Sequence, residues 1–269
     1  MTEVDLMANI RKDHILNLVK NGKREDGRGF DEQRELILQP RIIQKAEGSC
    51  QVNLGDTKVL AGIKVGKGEP YPDTPDQGVM TTMAELIPMA SPFFQSGPPG
   101  EDATELARVV DRGIREAPAM DTSKLVEVEG ELVRVVFIDL HILDSDGNLF
   151  DACNIAAITA LRTAKMPVLD EEGEPTEDLI PLPVQKTPIS CTFAKIGDSI
   201  LMDPSWNEGR VLDARLTVTT EDNDYVCAMQ KGEGGQFTTD EIMNCIDKSL
   251  EKGKEIRKRI DDVLKKCKE

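Results

Sequence analysis

Arg108, Arg112 and Arg115 fall at i, i+4 and i+7, so a single α-helix would stack them into one basic stripe. Guanidinium groups arranged this way suit phosphate oxygens, through charge and forked hydrogen bonds. The same segment holds Glu105 and Asp111 within ion-pairing reach along a helix, so a solvated, self-neutralised face is the competing reading. Spacing alone leaves both open. The stripe stands out because the 269-residue chain carries a formal charge of -16. Other chemistries are poorly supplied. Only two histidines, His14 and His141, are present, which disfavours a histidine metal site or a Ser-His or Cys-His nucleophile. Cysteines at 50, 153, 191, 227, 245 and 267 lie far apart with no Cys-x-x-Cys pair, against a zinc ribbon or redox pair. No cofactor and no metal are expected of this chain.

The element that must present the stripe is a helix from Asp102 to Pro118. Asp102 is placed to cap it, Glu105 completes a capping-box-like pair, and Pro118 stops it. Leu106, Val109, Val110, Ile114 and Ala117 form its apolar face. Upstream, residues 3 to 20 read as a helix through Val4, Met7, Ile10, Ile15, Leu18 and Val19. Leu36 to Leu38 reads as a strand, and Ser49–Leu54 with Thr57–Val65 as a hairpin about Gly55-Asp56. Residues 68 to 101 are rich in proline and glycine around a strand from Val79 to Ile87, and no lysine or arginine occurs from Gly68 to Ala107.

Downstream come a strand over Leu132–Leu143 and a small-residue-rich helix over Asp151–Ala164. Asp170 to Asp178 reads as an acidic, solvated loop. Strands follow at about Thr187–Ile196, Ser199–Met202, Arg215–Thr220 and Tyr225–Met229, then a turn at Gly232–Gly235. A helix of about Thr239–Lys266 carries Ile242, Ile246, Leu250, Ile256, Ile260 and Val263 on its apolar side. Two strand-rich blocks, each followed by a helix, predict an internally duplicated α+β fold spanning residues 1–269 as a single domain. Hydrophobic residues make up 39%, enough for a globular core. No apolar run is long enough to span a membrane, and the N-terminus lacks a signal-peptide pattern. With thiols outside any disulfide framework, a cytoplasmic location is expected. The acidity argues against non-specific duplex binding over the whole surface, but not against a local basic patch.

Several spaced motifs resemble the RNase PH family. They are Arg24-Glu25-Asp26-Gly27-Arg28, Ala46-Glu47-Gly48-Ser49-Cys50 and Gly55-Asp56-Thr57-Lys58-Val59, then Glu105 to Glu116, Asp146-Gly147 with its following helix, and Leu201-Met202-Asp203-Pro204. The resemblance covers roughly residues 24 to 250. It implies a duplicated β-α fold, like that of ribosomal protein S5 domain 2, and ring assemblies that phosphorolyse RNA from the 3′ end. Within the family, the details are most similar to the non-catalytic RNase PH-type subunit of the archaeal exosome. That subunit alternates with a catalytic sister, three heterodimers making a hexameric ring that also binds cap subunits.

Phosphorolysis needs cationic and hydroxyl donors for phosphate, and carboxylates for proton transfer or a metal. Active members carry an Arg-Arg pair before the central helix; the aligned positions here are Glu101 and Asp102. Active members bind phosphate with a Gly-Gly-Thr-Arg-like run; here it reads Gly147-Asn148-Leu149-Phe150, so Leu149 and Phe150 replace a hydroxyl and a guanidinium. Active members have two aspartates; Asp203 matches the first and Glu208 the intervening glutamate, but the second position is Gly209. The resemblance thus implies a chain inactive alone, with Asp203 left as a structural or interface acid. It also turns the reading of the stripe towards contact of Arg108 and Arg112 with single-stranded RNA. Arg115, in the last turn, is a weaker candidate because it could simply complement the helix dipole.

Overall fold

Residues 48–68 alternate inward and outward side chains across the Gly55-Asp56 turn, the pattern of a half-buried hairpin. In the computed structural model, which describes residues 3–170 and 174–267, this hairpin (β2, Gly48–Leu54; β3, Thr57–Gly68) is the middle of a sheet. β1 (Leu36–Pro40) pairs antiparallel with β2, and β6 (Leu132–Asp144) antiparallel with β3. β4 (Val79–Leu86) pairs parallel with β6, and short β5 (Val126–Val128) also joins β6. A parallel neighbour requires a crossover, which α2 (Glu101–Glu116) supplies between β4 and β6.

The second sheet runs β10-β9-β11-β12, all antiparallel: β9 (Ile189–Ile196), β10 (Ser199–Met202), β11 (Ala214–Thr220) and β12 (Val226–Gly232). α3 (Leu149–Thr163) lies between the sheets, against β2 and β3 on one side and β9 on the other. It is buried without a break from Asp151 to Leu161, and Ala152, Ala156, Ala157 and Ala160 let both sheets approach it. α5 (Thr239–Lys266) covers the far face of the second sheet, packing on β9 and β11. β9 is thereby enclosed on both faces and is almost wholly buried. The layers run sheet, helices, sheet, helix, and the duplicated α+β expectation holds.

α1 (Glu3–Lys20) buries Ile15 and Val19 against Ile196, Leu201 and Val211 of the second half. Val4, Met7 and Ile10, expected on its apolar side, lie outside the described side chains. Three expectations need correction. Asp102 does not cap α2: the cap is Gly100, with no side-chain cap bond, and Asp102 sits in the first turn, where its charge complements the helix dipole. Val109 is only half-buried, and the buried face is Ala103, Leu106, Ala107, Val110, Gly113 and Ile114. The expected acidic loop is in part a strand: β8 (Pro175–Pro181) forms an exposed two-stranded ribbon with β7 (Lys165–Leu169), and residues 171–173 of that loop lie outside the described residues. The exposed, proline-flanked residues of β8 carry no apolar alternation, so the backbone pairing leaves no trace in composition.

Candidate RNA interface and the degenerate phosphate site

α2 presents Arg108, Arg112 and Arg115 to solvent, opposite its buried Leu106, Val110 and Ile114. Arg108, Val109, Arg112 and Arg115 form one wall of a 560 Å3 groove; Thr217, Thr219, Ala228, Met229 and Gln230 of β11 and β12 form the other. Three acids share this wall, Glu105, Asp111 and Glu116, and among the described residues none of them pairs with Arg108 or Arg112. Asp111 accepts from Arg115 Nε at 2.6 Å and from Thr82 Oγ1 at 3.0 Å. Glu105 accepts from Arg215 Nη2 of β11 at 2.5 Å. Arg115 also donates to the Met80 carbonyl. Arg108 and Arg112 therefore have no hydrogen bond or ion pair among the described residues, whereas Arg115 is occupied. Of the two readings left open by spacing, the self-neutralised face does not describe Arg108 and Arg112.

On the other flank of α2 lies a 310 Å3 cleft lined by Asp102, Glu105, Leu149, Phe150, Trp206, Gly209, Arg210 and Arg215, among others. Four of the expected degenerate positions, Asp102, Leu149, Phe150 and Gly209, thus share one space. Glu101 lies outside it, against the loop of residues 87–100. Leu149 and Phe150 start α3 and pack their side chains on the core. The Phe150 ring centroid lies 4.1 Å from the Arg215 guanidinium carbon. Gly209 closes the short helix α4 (Trp206–Gly209), and a Cβ there would meet nothing within 4 Å.

Asp203 lies beneath the cleft floor, with none of its surface exposed. It accepts from the Arg34 backbone N–H at 2.8 Å, Arg34 Nε at 3.0 Å, Arg34 Nη2 at 2.8 Å, Arg28 Nη1 at 3.0 Å and Asn148 Nδ2 at 2.7 Å. Burial opposes its charge, but the Arg34 hydrogen bonds and charge outweigh burial and hold the carboxyl below its usual range. Glu208 forms a forked pair with Arg24: Nε to Oε1 at 2.8 Å and Nη2 to Oε2 at 2.6 Å. Thr57 Oγ1 accepts from the Asp146 N–H at 3.0 Å and donates to the Gly147 carbonyl at 2.8 Å. Gly147 has φ +85°, and a Cβ there would come within 2.5 Å of the Ser205 carbonyl carbon. Residues 24–34, 57, 146–148 and 203–208, drawn from four of the recognised motifs and the segments beside them, therefore meet at one junction between the two halves.

Sequence reasoning missed Arg34, Asn148, Asp151, Thr192 and Arg215. Asp151 looked like an ordinary first-turn acid, yet it is buried and accepts from Asn148 Nδ2 at 2.7 Å, the Thr192 N–H at 3.0 Å and Thr192 Oγ1 at 2.7 Å. Burial pushes its carboxyl up to about 7, and the neighbouring Asp203 charge adds to the rise. Between its ordinary 3.8 and about 7 the folded state keeps a proton that the unfolded chain has lost, so this group lowers stability as pH rises through that window. Asp151→Asn is expected to flatten that slope, read as urea midpoints across the window. An unchanged slope would mean that Asp151 stays ionised in the folded protein.

Comparison with known proteins agrees with this geometry. The profile of the 3′ exoribonuclease family, domain 1, matches residues 32–167, and that of domain 2 matches residues 186–252. An exosome complex component Rrp42 from Thermococcus gammatolerans is 56% identical over 264 residues, covering 96% of each chain. Another so named, from Pyrococcus abyssi, is 50% identical over 274 residues, covering 100% of both. A chain of the Archaeoglobus fulgidus exosome with RNA bound to the active site superposes with a TM-score of 0.90 at 47% identity, covering 94% of this chain and 99% of that one. The duplicated fold, the junction motifs and these matches together make the chain a member of the RNase PH family of 3′ exoribonucleases.

Proposed function

We propose that the chain is a non-catalytic RNase PH-type subunit of an archaeal exosome core ring. It shapes the active site of a catalytic sister subunit and helps hold single-stranded RNA for 3′-to-5′ phosphorolysis. The observation that carries this reading is a contrast across α2. Arg108 and Arg112 stand unpaired on one flank, while the cleft on the other flank has Asp102, Leu149, Phe150 and Gly209 at the phosphate-handling positions. The chain is taken as one RNase PH-like unit, because a single cluster of buried side chains runs from Leu36 in the first sheet to Ile260 in α5. Three heterodimers would form the ring, with cap subunits on it, and phosphate and any metal would belong to the sister. A cytoplasmic setting fits these partners. The relatives named as exosome components, and the RNA-bound exosome among similar structures, support the same assignment.

Size and activity of the chain alone, and after mixing with an RNase PH-type partner, test the proposal. Alone it is expected neither to shorten RNA with phosphate nor to extend it with nucleoside diphosphates. Mixed, it is expected to form one larger species that degrades RNA. Gly209→Asp fits the open space at that position but is not expected to rescue activity, since Asp102, Leu149 and Phe150 still supply no phosphate donor. Robust phosphate-dependent turnover by the pure chain would instead make it a self-sufficient exoribonuclease.

A further inference from the structure

Two cations line the remodelled cleft: Arg210, which lies over the Phe93 and Trp206 rings, and Arg215, which alone reaches α2. Arg215, on β11, is largely buried; its guanidinium stacks on Phe150 and its Nη2 reaches Glu105 on α2. Its Nε has no partner, and among the described residues Glu105 is the one carboxylate paired with it. Glu105 is also i−3 to Arg108, a spacing at which the two side chains would otherwise pair. The groove bearing Arg108 and the cleft bearing Phe150 both have Glu105 on their walls. One carboxylate thus stands between two arginines, and the structure places it on Arg215.

We propose that Arg215 is a positioning residue: by holding Glu105 against the Phe150 platform, it keeps Arg108 unpaired and available to RNA phosphate. Phe150, which cannot bind phosphate, supplies the flat surface on which the Arg215 guanidinium rests. Gly232 supplies the room. It faces Arg215 across the β11–β12 pair, and a Cβ there would come within 2.5 Å of Arg215 Nη2. The degenerate phosphate site thereby serves the RNA-binding flank of α2.

The inference rests on RNA contact by Arg108, so the experiment separates the two. In the assembled ring, affinity for a single-stranded oligoadenylate RNA is measured for Arg215→Met, Glu105→Gln, the two combined, and Gly232→Ala. Arg215→Met is expected to lower affinity about two- to fivefold, the size of one exposed helix ion pair. With Glu105→Gln present, the same change is expected to have little effect, because the released side chain no longer neutralises Arg108. Gly232→Ala displaces the Arg215 guanidinium without removing any charge, and is expected to lower affinity in the same direction. A crystal structure of the Arg215→Met chain, which needs no RNA, is expected to show Glu105 paired with Arg108. Equal losses from Arg215→Met with and without Glu105→Gln would overturn the inference, because Arg215 would then act through its own charge. Glu105 remaining away from Arg108 in that crystal structure would overturn it too. If Arg108→Ala itself leaves affinity unchanged, RNA contact fails, and the Arg215 role in binding fails with it.

Discussion

Replacing Arg108 and Arg112 together by alanine is expected to weaken single-stranded RNA binding by the assembled ring by about 2 kcal/mol, roughly thirtyfold. Both side chains face the groove between α2 and β11–β12, and both lack a partner among the described residues, so no internal bond has to break before they meet phosphate. Each lost phosphate contact on a single strand should also lower the slope of log affinity against log salt by about 0.7, so the double variant should lose about 1.4. Assembly should survive, because Leu106, Val110 and Ile114 on the opposite face of α2 are untouched. Arg115→Ala should cost less. Arg115 already donates to Asp111 and the Met80 carbonyl, and its removal would act mainly by freeing Asp111 beside the stripe. A double variant with unchanged affinity and salt slope would make the stripe an ordinary solvated face.

The helix that carries this prediction was legible in the sequence because its apolar positions repeat at helical spacing. The state of its arginines was not. Asp111 takes Arg115, a local i,i+4 partner that spacing allows, but whether Glu105 neutralises Arg108 depends on Arg215, which comes from a distant strand. Local spacing cannot register a competing partner of that kind. The start of α2 was misplaced for a similar reason, since Asp102 is a favoured capping type but the backbone enters the helix at Gly100. The recognised motifs were legible as a string of matches. That most of them converge on one junction is a tertiary fact, visible only once Arg24, Arg34, Thr57, Gly147 and Asp203 are seen to touch. Asp151 shows the limit most clearly. An acid in the first turn of a helix usually faces water beside the dipole, but this one faces β9 because α3 is covered on both sides.

Glu208→Ala is expected to destabilise the fold by about 3–5 kcal/mol, because it strands a cation that has no route to water. The Arg24 side chain is 0% exposed and Glu208 is 2% exposed, so the lost charge is not replaced by solvent. Arg24 would keep the Met202 and Asp203 carbonyls, both at 2.9 Å, but these are dipoles and not a counter-charge. The change also removes half of the capping box that Ser205 and Glu208 form at α4. Glu208→Gln keeps the shape and should cost less. Arg24→Met combined with Glu208→Leu should recover much of the loss, since no buried charge then remains unpaired. Urea unfolding of the parent, these three variants and Glu255→Ala decides the matter. A cost for Glu208→Ala no larger than for breaking the exposed Lys252–Glu255 pair would show that the junction does not hold the halves together. The contrast with Gly209 follows from the same contacts: Asp203 and Glu208 are held by Arg24, Arg28 and Arg34, so changing either is expected to cost stability, whereas Gly209 is exposed and a Cβ there would meet nothing within 4 Å, so Gly209→Asp is expected to leave the fold nearly unchanged.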